Sequence, residues 1–545
     1  MPVVTFDYED FISLLGKKIK KEEMLKKIPM IGAEIEKVDG NEISVEFFPD
    51  RPDLLSIEGI ARAMRSFLEI ELGMKKYEVM EPKIEMKVEE SVKEVRPYVS
   101  AAIIRNVKMT DELVASVMEL QEKLHLSIGK ERKKMAIGVH NLDAVVPPFT
   151  YKGVKPNEIK FVPLGKAQEM NLEEILLKHE KGIKYAHLLE GKKLYPIIVD
   201  KNENVLSFPP IINGELTAVD LYTENIFIDV TGTEKMAVEN ALNIIATAFA
   251  ERGGKLEKVK IIDEERRVTP NLIPEEREVD INYASKILGM DVKKYAVKSL
   301  QKMGYDAFMD GDMVKVKIPP WRVDILHAID LVEDMAIGYG YEKFQPKLPE
   351  EMTFGKGVSF RKLHDILLGL GFIEVVTLSL SNREDQFQKM NVREKEIAEI
   401  ENPVTTKHSC LRLSLLPSLL EILSKNKHNE LPQAIYEIGE VVHIQNKMAK
   451  NFVYLAGVKI SAKTGFTECK SLVEAIMRNL GIDATIKEKK HDSFIEGRCA
   501  SIWYDGEIGY FGELHPMVII NFELEHPIIA FEMNVEKLLS LSEEK

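Results

Sequence analysis

Apolar positions along the chain switch between a helical period and a period of two, and the switches divide it into four stretches. Residues 1–82 begin with two short helical segments, Asp7–Leu15 and Glu22–Ile31. A hairpin follows, turning at Asp39-Gly40-Asn41 and returning along Ile43–Phe48. Pro49-Asp-Arg-Pro-Asp53 then leads into a helix that reaches Ile70, with Ser56 at its N-cap. Around Tyr77–Pro82 the pattern loosens into a boundary. Residues 83–266 mix strands with three helices. Asp111 caps the first, which carries the stripe Val114, Val117, Leu120 and Leu124. Asn171-x-x-Glu174 opens the second as a capping box. Thr233 opens the third, which runs through Val238, Leu242, Ile245 and Phe249 and ends at Gly253-Gly254. Tyr195–Val199, Val205–Ser207 and Ile226–Val230 read as strands.

Residues 267–345 give a strand, two helices (Tyr283–Leu288 and Val292–Met303), a hairpin turning at Asp310-Gly311-Asp312, and a last helix after Pro319-Pro320. That order resembles winged nucleic-acid-binding modules, although Lys and Arg are not concentrated there. In the last helix Ile325, Ala328, Ile329, Val332 and Ala336 form an apolar stripe. Asp330, Glu333 and Asp334 share another face, with Asp324 at the entry. Like charges so spaced repel by roughly 0.2–0.5 kcal/mol per pair. A solvated face would tolerate that; a bound cation or a basic partner would remove it. Residues 346–545 show twofold periodicity over Glu374–Ser379, Ala434–Ile444, Val453–Ile460, Cys499–Tyr504 and Ile528–Met533, with Asp505-Gly506 as a tight hairpin turn. An antiparallel sheet is expected there, and the whole reads as an α+β multidomain chain.

At 545 residues the chain is too long for one core. Its 45% hydrophobic and 30% charged residues suit a soluble globular protein. A net charge of −14 argues against gripping nucleic acid through a general basic surface, while leaving room for a local RNA contact or a basic partner. Cys410, Cys469 and Cys499 are far apart in sequence, which excludes a disulfide scaffold and speaks against zinc. The start, MPVVTFDYEDF, lacks the pattern of a secretory signal, and no stretch approaches the roughly 20 apolar residues of a membrane span. A cytoplasmic location without membrane contact is expected.

Four segments carry more than composition. They are Phe48-Pro-Asp-Arg-Pro-Asp-Leu-Leu-Ser-Ile-Glu-Gly-Ile-Ala-Arg62, Phe208-Pro-Pro-Ile-Ile-Asn-Gly-Glu-Leu-Thr217, Trp321–Tyr341, and Leu411-Arg-Leu-Ser-Leu-Leu-Pro-Ser-Leu-Leu420 with Tyr436-Glu-Ile-Gly-Glu440. In this order and spacing the chain resembles, over essentially its whole length, the phenylalanyl-tRNA synthetase β-subunit family of the archaeal and eukaryotic-cytosolic type. The resemblance implies an N-terminal α+β module (1–82), a mixed α+β editing domain (83–266), a small winged-helix-like module with an acidic magnesium-site helix (267–345), and a class II synthetase-like antiparallel domain (346–545). It also implies two α and two β subunits. The α subunit would activate phenylalanine with ATP and charge tRNA(Phe); the β subunit would support it and hydrolyse mischarged tyrosyl-tRNA. A structural, tRNA-binding subunit with a decayed pocket is the alternative.

An apolar pocket for phenylalanine rejects a ligand with one added hydroxyl only on the order of a hundredfold, so a second site must sort by binding that hydroxyl. Asn213, Glu215 and Thr217 supply polar groups in a loop stiffened by two prolines and Gly214. Glu215 or Asn213 is the expected phenol partner. By resemblance, Asp229 and Thr231 shape the pocket and position water, and Leu206 belongs to the same set. No Ser/His/Asp or Cys/His nucleophile set is evident, so direct hydrolysis by an oriented water is expected. A plain rigid turn is the other reading of the Pro-Pro segment. By resemblance, too, Asp324, Asp330, Glu333 and Asp334 hold a magnesium ion shared with the α subunit. A basic residue of the partner would serve the same charge, and His327 is expected at the surface. Asp50-Arg51-Pro52-Asp53 reads as a capped turn rather than a catalytic acid pair, and Lys130-Glu-Arg-Lys-Lys134 as a phosphate contact or a solvated loop. Arg412 is followed by no acid and Pro527–Met533 holds neither glycine nor arginine, so the last stretch lacks groups for ATP.

Overall fold

A computed structural model describes residues 2–348, 355, 357 and 359–543. The chain divides into two units, Met1–Leu348 and Pro349–Lys545. In the first, a three-stranded antiparallel sheet places Glu42–Phe47 between Val3–Asp7 and Ala33–Asp39. The strand Val3–Asp7 was not expected. It hands over to the helix Tyr8–Leu15 at Asp7, whose carboxylate accepts from the Glu9 and Asp10 amides and so marks the N-cap. The expected second helix is Lys21–Lys27 followed by a tighter turn, Ile28–Ile31, where Pro29 offers no amide hydrogen. Ser56 caps Ile57–Phe67 as expected. Gly59 is required there, because a Cβ would stand 1.8 Å from the Asp53 carbonyl oxygen.

The large sheet of this unit has ten strands, and Ile226–Gly232 lies between Tyr98–Arg105 and Met135–Asn141, antiparallel to both. Every residue of Ile226–Gly232 is buried. Ile226, Ile228 and Val230 join the core beneath the helices Asp111–Leu126 and Lys235–Glu251, so Phe227, Asp229 and Thr231 fall on the opposite face. Thr110, not Asp111, caps the first of these helices, its Oγ1 accepting from the Leu113 amide. Thr233 does not cap the second; its hydroxyl donates to the Lys133 carbonyl instead, and Glu234 precedes the helix. The Asn171–Glu174 capping box forms as expected. Met135–Asn141 is an edge strand, and the helix Asp111–Leu126 blunts it. His125 Nε2 accepts from the Ile137 amide at 2.9 Å, and Gln121 donates to the Ile137 carbonyl at 2.6 Å. Further along the first unit, Met313–Ile318 pairs antiparallel with both Glu275–Asp280 and Asp306–Asp310, with Ile281–Leu288, Ala296–Lys302 and Ala328–Tyr339 as its helices.

The second unit carries a seven-stranded sheet in the order Ile373–Glu374, Gln433–Gln445, Met448–Ile460, Ile528–Asn534, Glu507–Leu514, Phe494–Trp503, Thr485–Glu488. It is antiparallel except at one edge, where Ile373–Glu374 runs parallel to Gln433–Gln445. The expected strand Glu374–Ser379 does not form as such: two residues pair at that edge, and Leu380–Ser381 pairs separately with Cys410–Leu411. Extended backbone becomes a strand only where a partner meets it, and residues 375–379 have no ladder. Arg412 is buried in this unit; it donates to Glu437 at 2.9 Å, to the Glu440 carbonyl and to Thr377 Oγ1. Among the described residues no helix is long and apolar enough to cross a membrane.

Candidate functional site

Asp229 is a charged side chain set in a fully buried strand, 1% exposed, so it needs partners. His140, from the neighbouring strand Met135–Asn141, provides one: its Nε2–H donates to Asp229 Oδ1 at 2.7 Å. The other ring nitrogen, Nδ1, lies 2.8 Å from Thr217 Oγ1 and accepts that hydroxyl in the neutral imidazole. Asp229 pairs across the sheet with Gly138, where any Cβ would press within 2.3 Å of Asp229 Oδ1 and 2.6 Å of His140 Nε2. The imidazole–carboxylate pair therefore exists because residue 138 has no side chain. Asp229 forms part of the wall of a cavity of about 500 Å³. Asn213 lines it too, half-buried, its Nδ2 donating to the Val139 carbonyl at 3.3 Å and its Oδ1 without a donor among the described residues.

Two further groups on this wall are buried without partners among the described residues: Ser207 Oγ and Arg132 Nε. The rest of the Arg132 guanidinium is held by the Pro210 and Ile211 carbonyls and by Glu122, and it lies over the Tyr185 ring. Lys166, Lys181 and Lys184 add positive charge to the lining. Thr231 is buried and not part of the lining, its Oγ1 and carbonyl accepting from buried Arg96 at 3.0 and 2.9 Å. Burial pulls the Arg96 guanidinium down to about 10. Leu206 is a core residue whose carbonyl lies 3.4 Å from Thr217 Oγ1. Glu215 is exposed and lies outside the cavity lining, its carboxylate accepting from the Gly165 amide at 2.7 Å.

The acidic helix is Ala328–Tyr339, and its acids are mostly held within the chain. Asp330 turns back to accept from the Leu326 and His327 amides, closing a capping box with exposed His327 at the N-cap. Arg322 grips Asp324 through two bonds of 2.9 and 2.6 Å and reaches Asp334 at 2.6 Å; Tyr305 also donates to Asp334. Glu333 alone of the four has no hydrogen bond or ion pair within the described chain, and burial beside Asp334, Asp50, Asp330 and Asp324 raises its carboxyl. Oxygen donors of this kind suit magnesium. As placed, though, three of the four are committed to protein donors. Among the described residues no group of three or more His, Cys, Asp or Glu is gathered to hold a metal. The set does not fit the ion without rearrangement.

Residues 350–535 match the model described as "Phenylalanyl tRNA synthetase beta chain CLM domain", residues 277–341 a "tRNA synthetase B5 domain", and residues 86–262 a "B3/4 domain". The chain is 44% identical to the phenylalanine–tRNA ligase β subunit of Methanosarcina barkeri, covering 99% of this chain and 100% of that one. It is 43% identical to the same subunit of Archaeoglobus fulgidus, over the full length of both. The chain belongs to the phenylalanine–tRNA ligase β-subunit family. A crystal structure of an N-terminal fragment of the Pyrococcus horikoshii phenylalanyl-tRNA synthetase β subunit superposes with a TM-score of 0.60 at 38% identity, covering 62% of this chain and 99% of that fragment.

Within this β-subunit architecture the cavity falls in the B3/4 stretch and the acidic helix in the B5 stretch. Of the residues singled out from sequence, Asn213 and Asp229 share the cavity. Thr217 reaches it through His140, Thr231 and Leu206 support it, and Glu215 lies outside. His140, Gly138 and Ser207 were missed. Arg132 was noticed only as one member of a basic run; it is buried, while Lys130 and Lys133 are exposed. The reversal follows from left-handed backbone at Lys130, Glu131 and Arg132, which folds the arginine inward.

Proposed function

We propose that this chain acts as the β subunit of a phenylalanine–tRNA ligase, in a complex of two α and two β subunits, and that its cavity hydrolyses tyrosyl esters of tRNA(Phe). The observation that carries the reading is Asp229 in the wall of the cavity, held from outside the lining by His140 and through it by Thr217, on a wall where Ser207 Oγ and Arg132 Nε have no partner among the described residues. Asp229 Oδ1 is taken by His140, which leaves Oδ2 to accept from a water and point it at the ester carbonyl. Attack forms the water-oxygen–carbon bond. The carbonyl oxygen gathers charge opposite Ser207 Oγ–H and Arg132 Nε–H. The C–O bond to the ribose then breaks, the ribose oxygen takes one proton of the attacking water, the other proton is released to solvent, and tyrosine leaves as a carboxylate. Lys166, Lys181 and Lys184 suit the phosphates of an acceptor end.

Asn213 Oδ1 is the acceptor for the tyrosine phenol. A phenylalanyl ester leaves it unpaired, at about 1–3 kcal/mol. Phenylalanine activation with ATP falls to the α subunit, in the cytoplasm, and residues 346–545 serve as a scaffold. At the acidic helix, Glu333 is the carboxylate open to a basic side chain of that partner. The test is deacylation of tyrosyl-tRNA(Phe) by the assembled complex. Asp229→Ala should slow it at least a hundredfold and Asn213→Ala about tenfold, while Glu215→Ala leaves it within twofold. Full activity in Asp229→Ala would refute the assignment.

A further inference from the structure

A second cavity lies within the second unit, about 550 Å³, on a face of the seven-stranded sheet. Pockets of roughly 300–1,000 Å³ are the usual size for small-molecule sites. Its wall includes Tyr510, Tyr454 and Phe387, and His491 stacks on Tyr510 with ring centroids 5.0 Å apart. The two histidines in the lining have defined tautomers. His491 Nδ1 accepts from the Ser493 amide, so its Nε2 carries the hydrogen, and that N–H finds no partner among the described residues. His443 Nε2 donates to the Leu413 carbonyl at 3.1 Å, so its Nδ1 is an acceptor, without a partner among the described residues. Burial pulls both imidazoles down, His491 to about 4, which keeps them neutral near pH 7.

Glu532, 2% exposed, holds the floor by accepting from Ser414, the Leu415 amide and Tyr510. Arg393 and Lys395 at the rim are exposed and make no ion pair among the described residues. Lys489 adds a third cation, paired with Glu507, and Glu396 is the acid beside them.

One free donor and one free acceptor between aromatic walls match the edge of a planar heteroaromatic ring, and two unpaired cations at the mouth match an anionic tail. We propose that this cavity binds a nucleoside phosphate, its base among Tyr510, His491 and His443 and its phosphate at Arg393 and Lys395. The ligand is either a free nucleotide or one residue of an RNA strand.

The full chain in its complex would be photolabelled with 8-azidoadenosine 5′-phosphate and the labelled peptides mapped. Label should appear in residues 386–396 or 489–493. It should fall at least fivefold in Lys395→Glu, an exposed change that leaves folding intact, and in His491→Ala. Competition by adenosine 5′-phosphate but not by ribose 5-phosphate would show that the base is read. Stronger competition by a short oligoribonucleotide would assign the RNA source, and equal or weaker competition the free nucleotide. Absence of label from both segments, or label unchanged by Lys395→Glu, would overturn the proposal.

Discussion

Gly138→Ala tests the proposed hydrolytic site without removing any group that touches substrate. The added Cβ would stand 2.3 Å from Asp229 Oδ1 and 2.6 Å from His140 Nε2. Ordinary contact between heavy atoms begins near roughly 3.5 Å, so the carboxylate must retreat by about 1 Å. That breaks the 2.7 Å bond from His140. A hydrogen bond to a charged group contributes about 1.5–3 kcal/mol. Each 1.4 kcal/mol is about tenfold in rate. Tyrosyl-tRNA deacylation should therefore fall by about ten- to a hundredfold, with aminoacylation by the complex unchanged. Overpacking a strand adds a stability loss of about 1–3 kcal/mol, which a melting curve on the same sample would register. A folded Gly138→Ala complex that deacylates at the wild-type rate would show that the Asp229–His140 pair does not serve the reaction. Equal losses in both activities would show a general structural effect instead.

Arg322→Met should cost the chain about 3–5 kcal/mol, because it strips the cation from buried Asp334 and from Asp324. Urea unfolding measures this, and a loss under about 1 kcal/mol would mean that another cation already neutralises the acids. His125 gives a pH dependence: burial pulls its imidazole from 6.5 to about 4. Above pH 6.5 both folded and unfolded chains hold it neutral. Between 6.5 and 4 only the unfolded chain takes up the proton, so stability falls as pH falls, by on the order of 3 kcal/mol over the window. Unfolding free energies of wild type and His125→Gln measured across that range should converge toward the acid end; parallel curves would refute the argument.

The strands that could be read from sequence are those whose burial shows locally. Ile226–Gly232 is an apolar run interrupted by Asp229 and Thr231, and a polar residue in a fully buried strand is itself a signal. What that residue pairs with depends on register. His140 reaches Asp229 because two strands align Gly138 with it, and no spacing along the chain encodes that alignment. Asn213 and Glu215 were indistinguishable in a polar loop, yet the short strand Ile212–Asn213 ends between them, and the 3₁₀ turn from Glu215 carries the acid outside. On the acidic helix the spacing of the acids was legible, while their counter-ion was sought outside the chain. Arg322 stands two positions before Asp324, in a non-helical turn, and only the fold swings it onto both carboxylates.

The four segments that carry the family resemblance do different physical work. In the first, Arg51 grips Asp53 through two bonds, and Arg62 lies over the Trp321 ring of the third at 4.4 Å. The third contributes Arg322 and its two carboxylates. In the fourth, Arg412 and Glu437 are both 2% exposed, and Gly439 is needed because a Cβ would meet Arg412 at 2.5 Å. Each of these three is a buried guanidinium–carboxylate or guanidinium–aromatic contact, where losing one partner strands a charge. Only the Phe208–Thr217 segment lines the first-unit cavity. Substitutions in the other three should therefore act through stability, and those around Asn213 through the hydrolytic rate. The sorting follows from which charges are buried with partners and which polar atoms are buried without them.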